Sequence, residues 1–328
     1  MADEAAHTFA VLTGGARLDR WLSDRVELSR SSIQRMILNH DVLVNHKPST
    51  ASTKLKTGDV IWMATPQLPL TGIVPEKMTL DIRYMDEEVL IVNKPAGLVV
   101  HPGKGHSNGT LVNGLVHWIQ NDVGDPLRPG LVHRIDKGTS GLLVVARTPN
   151  ALTVLQEQFA KHTVYRIYLA LVWGRPTKQK GMVNHAIGRH PVDRIRFACV
   201  DNGGKKAVTH FWCLDSAVHP QSGEGGRISL IACRLETGRT HQIRVHMHSL
   251  GHPLLGDPMY GRKKNIPSAW KRTLANLDHQ LLHAWRLGFQ HPDGSMHHHS
   301  VDPPADFKTI CETVGIDWQC AGELDFNP

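Results

Sequence analysis

Residues 131–147 read Leu-Val-His-Arg-Ile-Asp-Lys-Gly-Thr-Ser-Gly-Leu-Leu-Val-Val-Ala-Arg. A charged segment gives way to two glycines and then to five consecutive apolar residues. Glycines punctuate a turn, and an apolar run this short suits a buried strand. The pattern therefore places one carboxylate, Asp136, on a tight loop feeding a core strand. Arg134 and Lys137 lie beside it in sequence. Neighbouring cations favour the ionised carboxylate and also attract phosphate. A plain charged turn between two core strands would look the same at this level.

Composition narrows the classes. The chain has 328 residues, enough for two domains and a sizeable core. Its 37 Lys+Arg outnumber 30 Asp+Glu, a formal net charge of +7 that favours a polyanionic partner. The five cysteines, at 199, 213, 233, 311 and 320, form no C-x-x-C pair, so neither a zinc knuckle nor a disulfide framework is indicated. Met1–His7 carries no basic region followed by an apolar stretch, and no run approaches the ~18 apolar residues that span a bilayer. The expectation is a soluble, cytoplasmic protein with no membrane partner, and a monomer by default. Neither G-x-x-x-x-G-K-[ST] nor G-x-G-x-x-G occurs, so no nucleotide cofactor is expected. The dense histidine sets, His246/His248 and His297–His299, lack a Cys or carboxylate pattern with ligand spacing, so no metal is expected either.

Residues 16–64 read as a small first domain. Leu18, Trp21, Leu22 and Val26 recur at helical spacing among Arg17, Arg20 and Arg25. Ser29 stands at an N-cap position ahead of Ile33, Met36 and Ile37 on a second helix. Val42, Val44, Val60 and Trp62 mark short strands. Pro66, Pro69 and Pro75 make residues 65–76 an extended, semi-rigid linker. From residue 77 to 328 short apolar strands, such as 89–92, 142–145, 168–172 and 228–231, outnumber helices. They show no regular strand–helix alternation. That predicts α+β architecture with a mixed, largely antiparallel sheet. Residues 150–159 have helical spacing.

His133-Arg134-Ile135-Asp136 followed by Thr139-Ser140-Gly141 resembles the signature loop of the RluA-type pseudouridine synthases. Val92–Pro102, Arg166-Ile167-Tyr168, Arg239–His246 and His252–Pro258 resemble further motifs of that family, in family order. Residues 16–64 are similar to the alpha-L RNA-binding module, through Arg17-Leu18-Asp19, Ser29-Arg30-Ser31 and Val42-Leu43-Val44-Asn45. The resemblance implies a curved sheet with a central cleft and isomerisation of uridine to pseudouridine in structured RNA. Large-subunit ribosomal RNA is the favoured substrate and tRNA the alternative.

The resemblance also assigns roles. Asp136 is the obligatory carboxylate, attacking C1′, attacking C6, or taking a ribose proton so that a glycal forms. Arg244 pairs with Asp136, and Tyr168 stacks on the target base. Arg134 enters the space of a flipped nucleotide or grips its phosphate. His133, Thr139, Arg239, His241 and Gln242 are expected at the substrate, and His101, His106 and Lys94 are further phosphate candidates. In the first domain Arg17, Arg30 and Arg35 are expected to meet RNA. Residues 17–63 hold eight Arg/Lys against five acids, net +3. Two rivals share these features: a protein that only binds or chaperones RNA, and a hydrolase that releases free base. The hydrolase would generally need a second acid or base.

Overall fold

The computed structural model describes residues 6–26, 30–64, 73–103, 106–119, 123–218, 226–261, 268–271, 274 and 277–323. The chain divides into two compact units, 1–72 and 73–328.

The first unit contains β1 (Ala6–Ala10), α1 (Leu18–Ser23), α2 (Arg30–Leu38), β2 (Val42–Val44), β3 (Lys47–Pro48) and β4 (Val60–Ala64). The strands form one antiparallel sheet in the order β1-β4-β2-β3. Leu18, Trp21 and Leu22 of α1 and Ile33 and Ile37 of α2 close over Val42, Val44, Ile61 and Met63. The strands expected at Val42, Val44, Val60 and Trp62 are present as β2 and β4. The inward residues of β4 are Ile61 and Met63, which stand opposite Val44 and Val42; Val60 and Trp62 face the other way. The unit also begins before residue 16, because β1 pairs along the whole of β4. Ser29 lies outside the described residues, as do 65–72 of the expected linker. Residues 73–76 belong to the second unit. The Asn113 side-chain amide donates to the Val74 carbonyl at 2.9 Å, and the Glu76 N–H donates to the Asn113 carbonyl at 2.9 Å.

The second unit runs β5 (Asp81–Met85), β6 (Val89–Lys94), α3 (Leu111–Leu115), β7 (Ser140–Ala146), α4 (Pro149–Lys161), β8 (Tyr165–Trp173), β9 (Lys180–Asn184), β10 (Ile187–Arg189), β11 (Phe197–Cys199), β12 (Val208–Val218), β13 (Arg227–Leu235), α5 (Gln242–Ser249), α6 (Ser268–Lys271), β14 (Leu282–Gln290), β15 (Met296–Ser300) and α7 (Ala305–Val314). Nine strands form one mixed sheet in the order β5-β6-β7-β14-β8-β13-β12-β9, with β15 paired to β14. Among the described residues only β7 and β14 pair in parallel; β10 and β11 form a separate hairpin.

The apolar runs follow from burial on both sheet faces. On one face Leu143, Val145, Tyr168, Ala170, Ile231 and Cys233 pack with Ile243 and Met247 of α5 and with Leu111 and Leu115 of α3. On the other, Ile167, Leu169, Leu230 and Ala232 pack against Phe307, Ile310 and Val314 of α7. Leu142 and Val144 meet Leu152 and Leu155 of α4. A strand covered on both sides has no polar face to display, so 142–146 is apolar throughout. No helix among the described residues is long and apolar enough to cross a membrane.

Candidate active site

The loop before β7 is held from beneath. Lys94, at the end of β6, is fully buried, and its ammonium donates to the carbonyls of Pro95, Leu98 and Lys137 at 2.7, 2.9 and 3.1 Å. Three donors meet three acceptors, which offsets the cost of burying the group. Burial pulls the Lys94 pKa down to about 7. Lys94 is thus a strut under the loop and not the phosphate contact expected from sequence. The Asp136 carbonyl accepts from the Thr139 N–H at 3.0 Å, and the Thr139 hydroxyl accepts from the Gln280 side chain at 3.0 Å. Gly141 follows with φ of +109°, in β7 beside β14. These contacts aim Asp136 into a cavity of about 110 Å³.

Opposite the loop, the start of α5 brings Arg244 to Asp136. Arg244 Nη1 donates to Asp136 Oδ2 at 2.9 Å. The same guanidinium grips Asp257 in a fork, Nε to Oδ2 at 2.7 Å and Nη2 to Oδ1 at 2.9 Å. Asp257 Oδ1 also accepts the Met259 and Tyr260 N–H groups. The side chains are 6% exposed for Arg244, 0% for Asp257 and 17% for Asp136, so of the two carboxylates Asp136 is the one that opens toward the cavity. Burial alone would lower the Arg244 pKa, but its bonds to Asp257 and the charges of both carboxylates raise it well above the ordinary value. Burial likewise opposes ionisation of Asp257, yet Arg244 and the two backbone donors hold its pKa below the usual carboxylate range. Asp257 fell within a motif quoted from the sequence, but nothing in residue spacing tied it to Arg244.

Tyr168 and Arg166 project from β8 into the same cavity, which Arg134, Thr139, Arg239, His241 and Gln242 also line. Tyr168 is 6% exposed, and burial raises its pKa, so it presents a neutral phenol. Arg134 is exposed at the rim, with Nη1 3.4 Å from His101 Nε2. Burial and the Arg134 charge push His101 down to about 4. His241 begins α5 in the left-handed region, φ of +57°, and its Nδ1 lies 3.0 Å from the Tyr260 hydroxyl.

Other expected contacts are already occupied. Gln242 accepts from the Thr237 hydroxyl and the Arg239 N–H, and donates to the Val208 carbonyl and Thr209 Oγ1. It therefore fixes the loop 237–242. Arg239 Nε donates to the Lys206 carbonyl at 2.9 Å. His133 does not line the cavity. Its Nε2 accepts the Val144 N–H at 3.1 Å, its ring stacks 4.7 Å from Phe159, and burial lowers its pKa to about 3. The sequence expectation of a substrate contact at His133 is corrected to a neutral structural imidazole, because its ring is engaged by the Val144 N–H and Phe159 away from the cavity. In the first unit Arg17 forks onto Asp19, which is wholly buried, at 3.1 and 3.2 Å. That pairing makes Arg17 part of the fold first. The side chains of Arg30 and Arg35 lie outside the described set.

Comparison with known proteins places the chain in a family. Residues 88–249 match the RNA pseudouridylate synthase family, and residues 16–61 match the S4 domain. An uncharacterized RNA pseudouridine synthase of Synechocystis is 41% identical over 305 residues, covering 91% of this chain and 89% of that one. Ribosomal large subunit pseudouridine synthase D of Zymomonas mobilis is 42% identical over 310 residues, covering 92% and 95%. The solved structure of human RNA pseudouridylate synthase domain containing 1 superposes with a TM-score of 0.54 at 26% identity, covering 69% of this chain and 84% of that one. This chain belongs to the RNA pseudouridylate synthase family, isomerases of RNA uridine, with an S4 domain preceding the catalytic domain.

Proposed function

We propose that this chain converts uridine to pseudouridine in large-subunit ribosomal RNA, with Asp136 as the reacting carboxylate. The observation that carries the reading is the Arg244 bridge. It holds one carboxylate, Asp257, in the core and presents the other, Asp136, at the floor of a cavity. Pseudouridine formation breaks the bond between N1 and C1′ and rejoins the base through C5, so the base must leave the stack and enter a closed site. Tyr168 forms a flat wall for that base, and Arg134 stands at the rim where the flipped nucleotide enters. The ribosomal substrate is supported by the relative from Zymomonas mobilis, whose name specifies the ribosomal large subunit.

The test is incubation with unmodified large-subunit ribosomal RNA, followed by nucleoside mass and retention analysis. Unchanged mass with pseudouridine retention is expected, whereas free uracil would mean a hydrolase and no change a binder. Asp136→Asn is nearly isosteric and should keep fold and RNA affinity while abolishing turnover. Activity of that variant at even a few per cent of wild type would remove Asp136 from the reaction.

A further inference from the structure

Arg166 is the buried cation of this cavity that the pairing of Asp136, Arg244 and Asp257 does not use. It sits on β8 two residues before Tyr168, so both side chains project to the cavity side of the sheet. Arg166 is 6% exposed. Among the described residues its Nε has no hydrogen-bond partner, and Nη2 has only a long contact to the Glu236 carbonyl at 3.4 Å. No carboxylate pairs with it among the described residues, in contrast to Arg244. Its guanidinium lies 5.2 Å from the centre of the Phe159 ring. A Cβ on Gly238 would stand 2.9 Å from Nη1, so the loop passes the guanidinium with bare backbone at that point. Buried guanidinium donors without acceptors are costly to the fold. Such a group calls for an explanation, and a ligand entering the cavity that Arg166 lines would supply one.

We infer that Arg166 is a further catalytic residue, donating to a carbonyl oxygen of the target uracil as that base becomes an anion. The inference rests on the reading of Asp136 given above, but it does not depend on which route Asp136 takes. If a carboxylate oxygen bonds to C1′, the C1′–N1 bond breaks and its electron pair stays on the base. If the carboxylate takes a ribose proton, the same bond breaks and the pair again stays on the base. The resulting negative charge is shared among N1, O2 and O4. If the oxygen instead adds at C6, the C5–C6 electron pair moves toward the C4 carbonyl and gives an enolate at O4. Each route puts negative charge on uracil oxygens. After addition at C6 the C1′–N1 bond also breaks and its pair stays on the base. The charge is discharged when C5 bonds to C1′, C5 loses its proton and N1 gains one; the carboxylate is freed as its bond to C1′ or C6 breaks, or the proton it took returns to the ribose. Donors fixed in a dry site before charge develops stabilise it far more than water can. Arg166 is fixed, nearly dry and short of acceptors.

The experiment uses the full chain with Arg166→Met and Arg166→Lys on unmodified large-subunit ribosomal RNA. Single-turnover rate, RNA affinity and melting temperature are measured, with Asp136→Asn in parallel. Arg166→Met should slow turnover by about 100- to 1000-fold, the usual cost of losing one such donor. RNA affinity should stay within about twofold, because the interaction belongs to the transition state. The Met variant should also melt higher than wild type, since an apolar side chain of similar length replaces an under-paired cation. Arg166→Lys keeps a charge without the fork and should fall between the two in rate. A Met variant that turns over at nearly the wild-type rate overturns the inference. One that loses affinity in proportion to rate makes Arg166 a phosphate contact, and one that melts lower or fails to fold makes it structural; both overturn it too. Turnover by Asp136→Asn would instead sink the reading of Asp136 and leave the Arg166 comparison to be judged on its own rates.

Discussion

Arg244 has one guanidinium and two carboxylates to serve, and that count decides what can replace it. Nε and Nη2 are committed to Asp257, and Nη1 alone reaches Asp136. A lysine offers a single point charge on a flexible stem and cannot make a fork and a third bond at once. Arg244→Lys should therefore keep net charge yet release Asp136 from its fixed orientation. A misplacement of roughly 1 Å near the chemistry costs on the order of 100-fold in rate, and single-turnover assays should show a loss of that size. Breaking the buried pair outright, as in Arg244→Ala, should cost about 3–5 kcal/mol in urea unfolding. A fully active Lys variant would show that orientation of Asp136 by the fork is not needed. Buried imidazoles set a separate limit, on acid stability. His283 is fully buried, with Nε2 facing the Val301 carbonyl and Nδ1 facing the Ser140 hydroxyl, and burial lowers its pKa to about 4. His133 is lowered to about 3. Their unfolded values lie near 6.5. Between the folded and unfolded values the unfolded chain binds more protons, so stability should fall as pH drops from about 6.5 toward 4. Urea titrations at pH 7, 5.5 and 4.5 should show that decline, with His283→Asn flattening it; an unchanged slope in the variant would remove His283 as a source.

At the scale of elements, the decisive join is the parallel contact of β7 with β14 at Ser140–Gly141, directly after the loop that carries Asp136. Gly141 has φ of +109°, and a Cβ there would lie 2.3 Å from the Ala284 carbonyl oxygen and 2.6 Å from its nitrogen. Both the backbone conformation and the neighbouring strand exclude a side chain. Gly141→Ala should force β14 away from β7, destabilise the catalytic domain by at least the 1–3 kcal/mol of the strained backbone, and lower turnover through the displaced loop. Thermal melting and rate together check this, and a variant with wild-type values in both would show that the join has slack. The same region shows what a sequence can disclose. β7, β8 and β13 were legible because strands buried on both faces are apolar without interruption. β1 was not: Ala-His-Thr-Phe-Ala is a short edge strand of weak pattern, and its pairing with β4 is fixed by tertiary contact. β15, Met-His-His-His-Ser, is likewise an edge strand whose composition read as a local bias in histidine. The site divides along similar lines. Asp136 and Tyr168 stand on elements that local pattern could place. The bridge joins Asp136 to Arg244 across 108 residues and Arg244 to Asp257 across 13, and no spacing rule encodes such a contact. The Asp136–Arg244 half was expected only through motif resemblance, and the Arg244–Asp257 half was not expected at all. The direction of His133, away from the cavity, depends on the twist of a loop that periodicity does not resolve.

For the whole molecule, the two units each enclose their own core, one around Leu18, Leu22, Ile33 and Ile61 and the other around the nine-stranded sheet. The residues lining the Asp136 cavity all belong to the second unit. Deleting residues 1–72 should therefore leave a folded domain that still modifies a short stem-loop at high concentration. Affinity for long structured RNA should fall, because the S4 domain and its excess of basic residues are gone. The size of the effect is set by phosphate contacts. Each one lost reduces the slope of log affinity against log salt by about 0.7–0.9, since fewer counterions are released on binding. Within the S4 domain the cations differ in what they are free to do. Arg17 is committed to the buried Asp19 carboxylate, so Arg17→Ala should lower the melting temperature of the first unit more than it lowers the salt slope. Arg30 and Arg35, which the sequence places at a basic helix, should behave in the opposite way. Arg30→Ala/Arg35→Ala should leave the melting temperature near wild type and reduce the slope by about 1.4–1.8 if both meet phosphate. Titrations of the full chain with large-subunit ribosomal RNA at several salt concentrations distinguish the cases. A double variant with unchanged affinity and slope would show that the RNA face of this domain lies elsewhere.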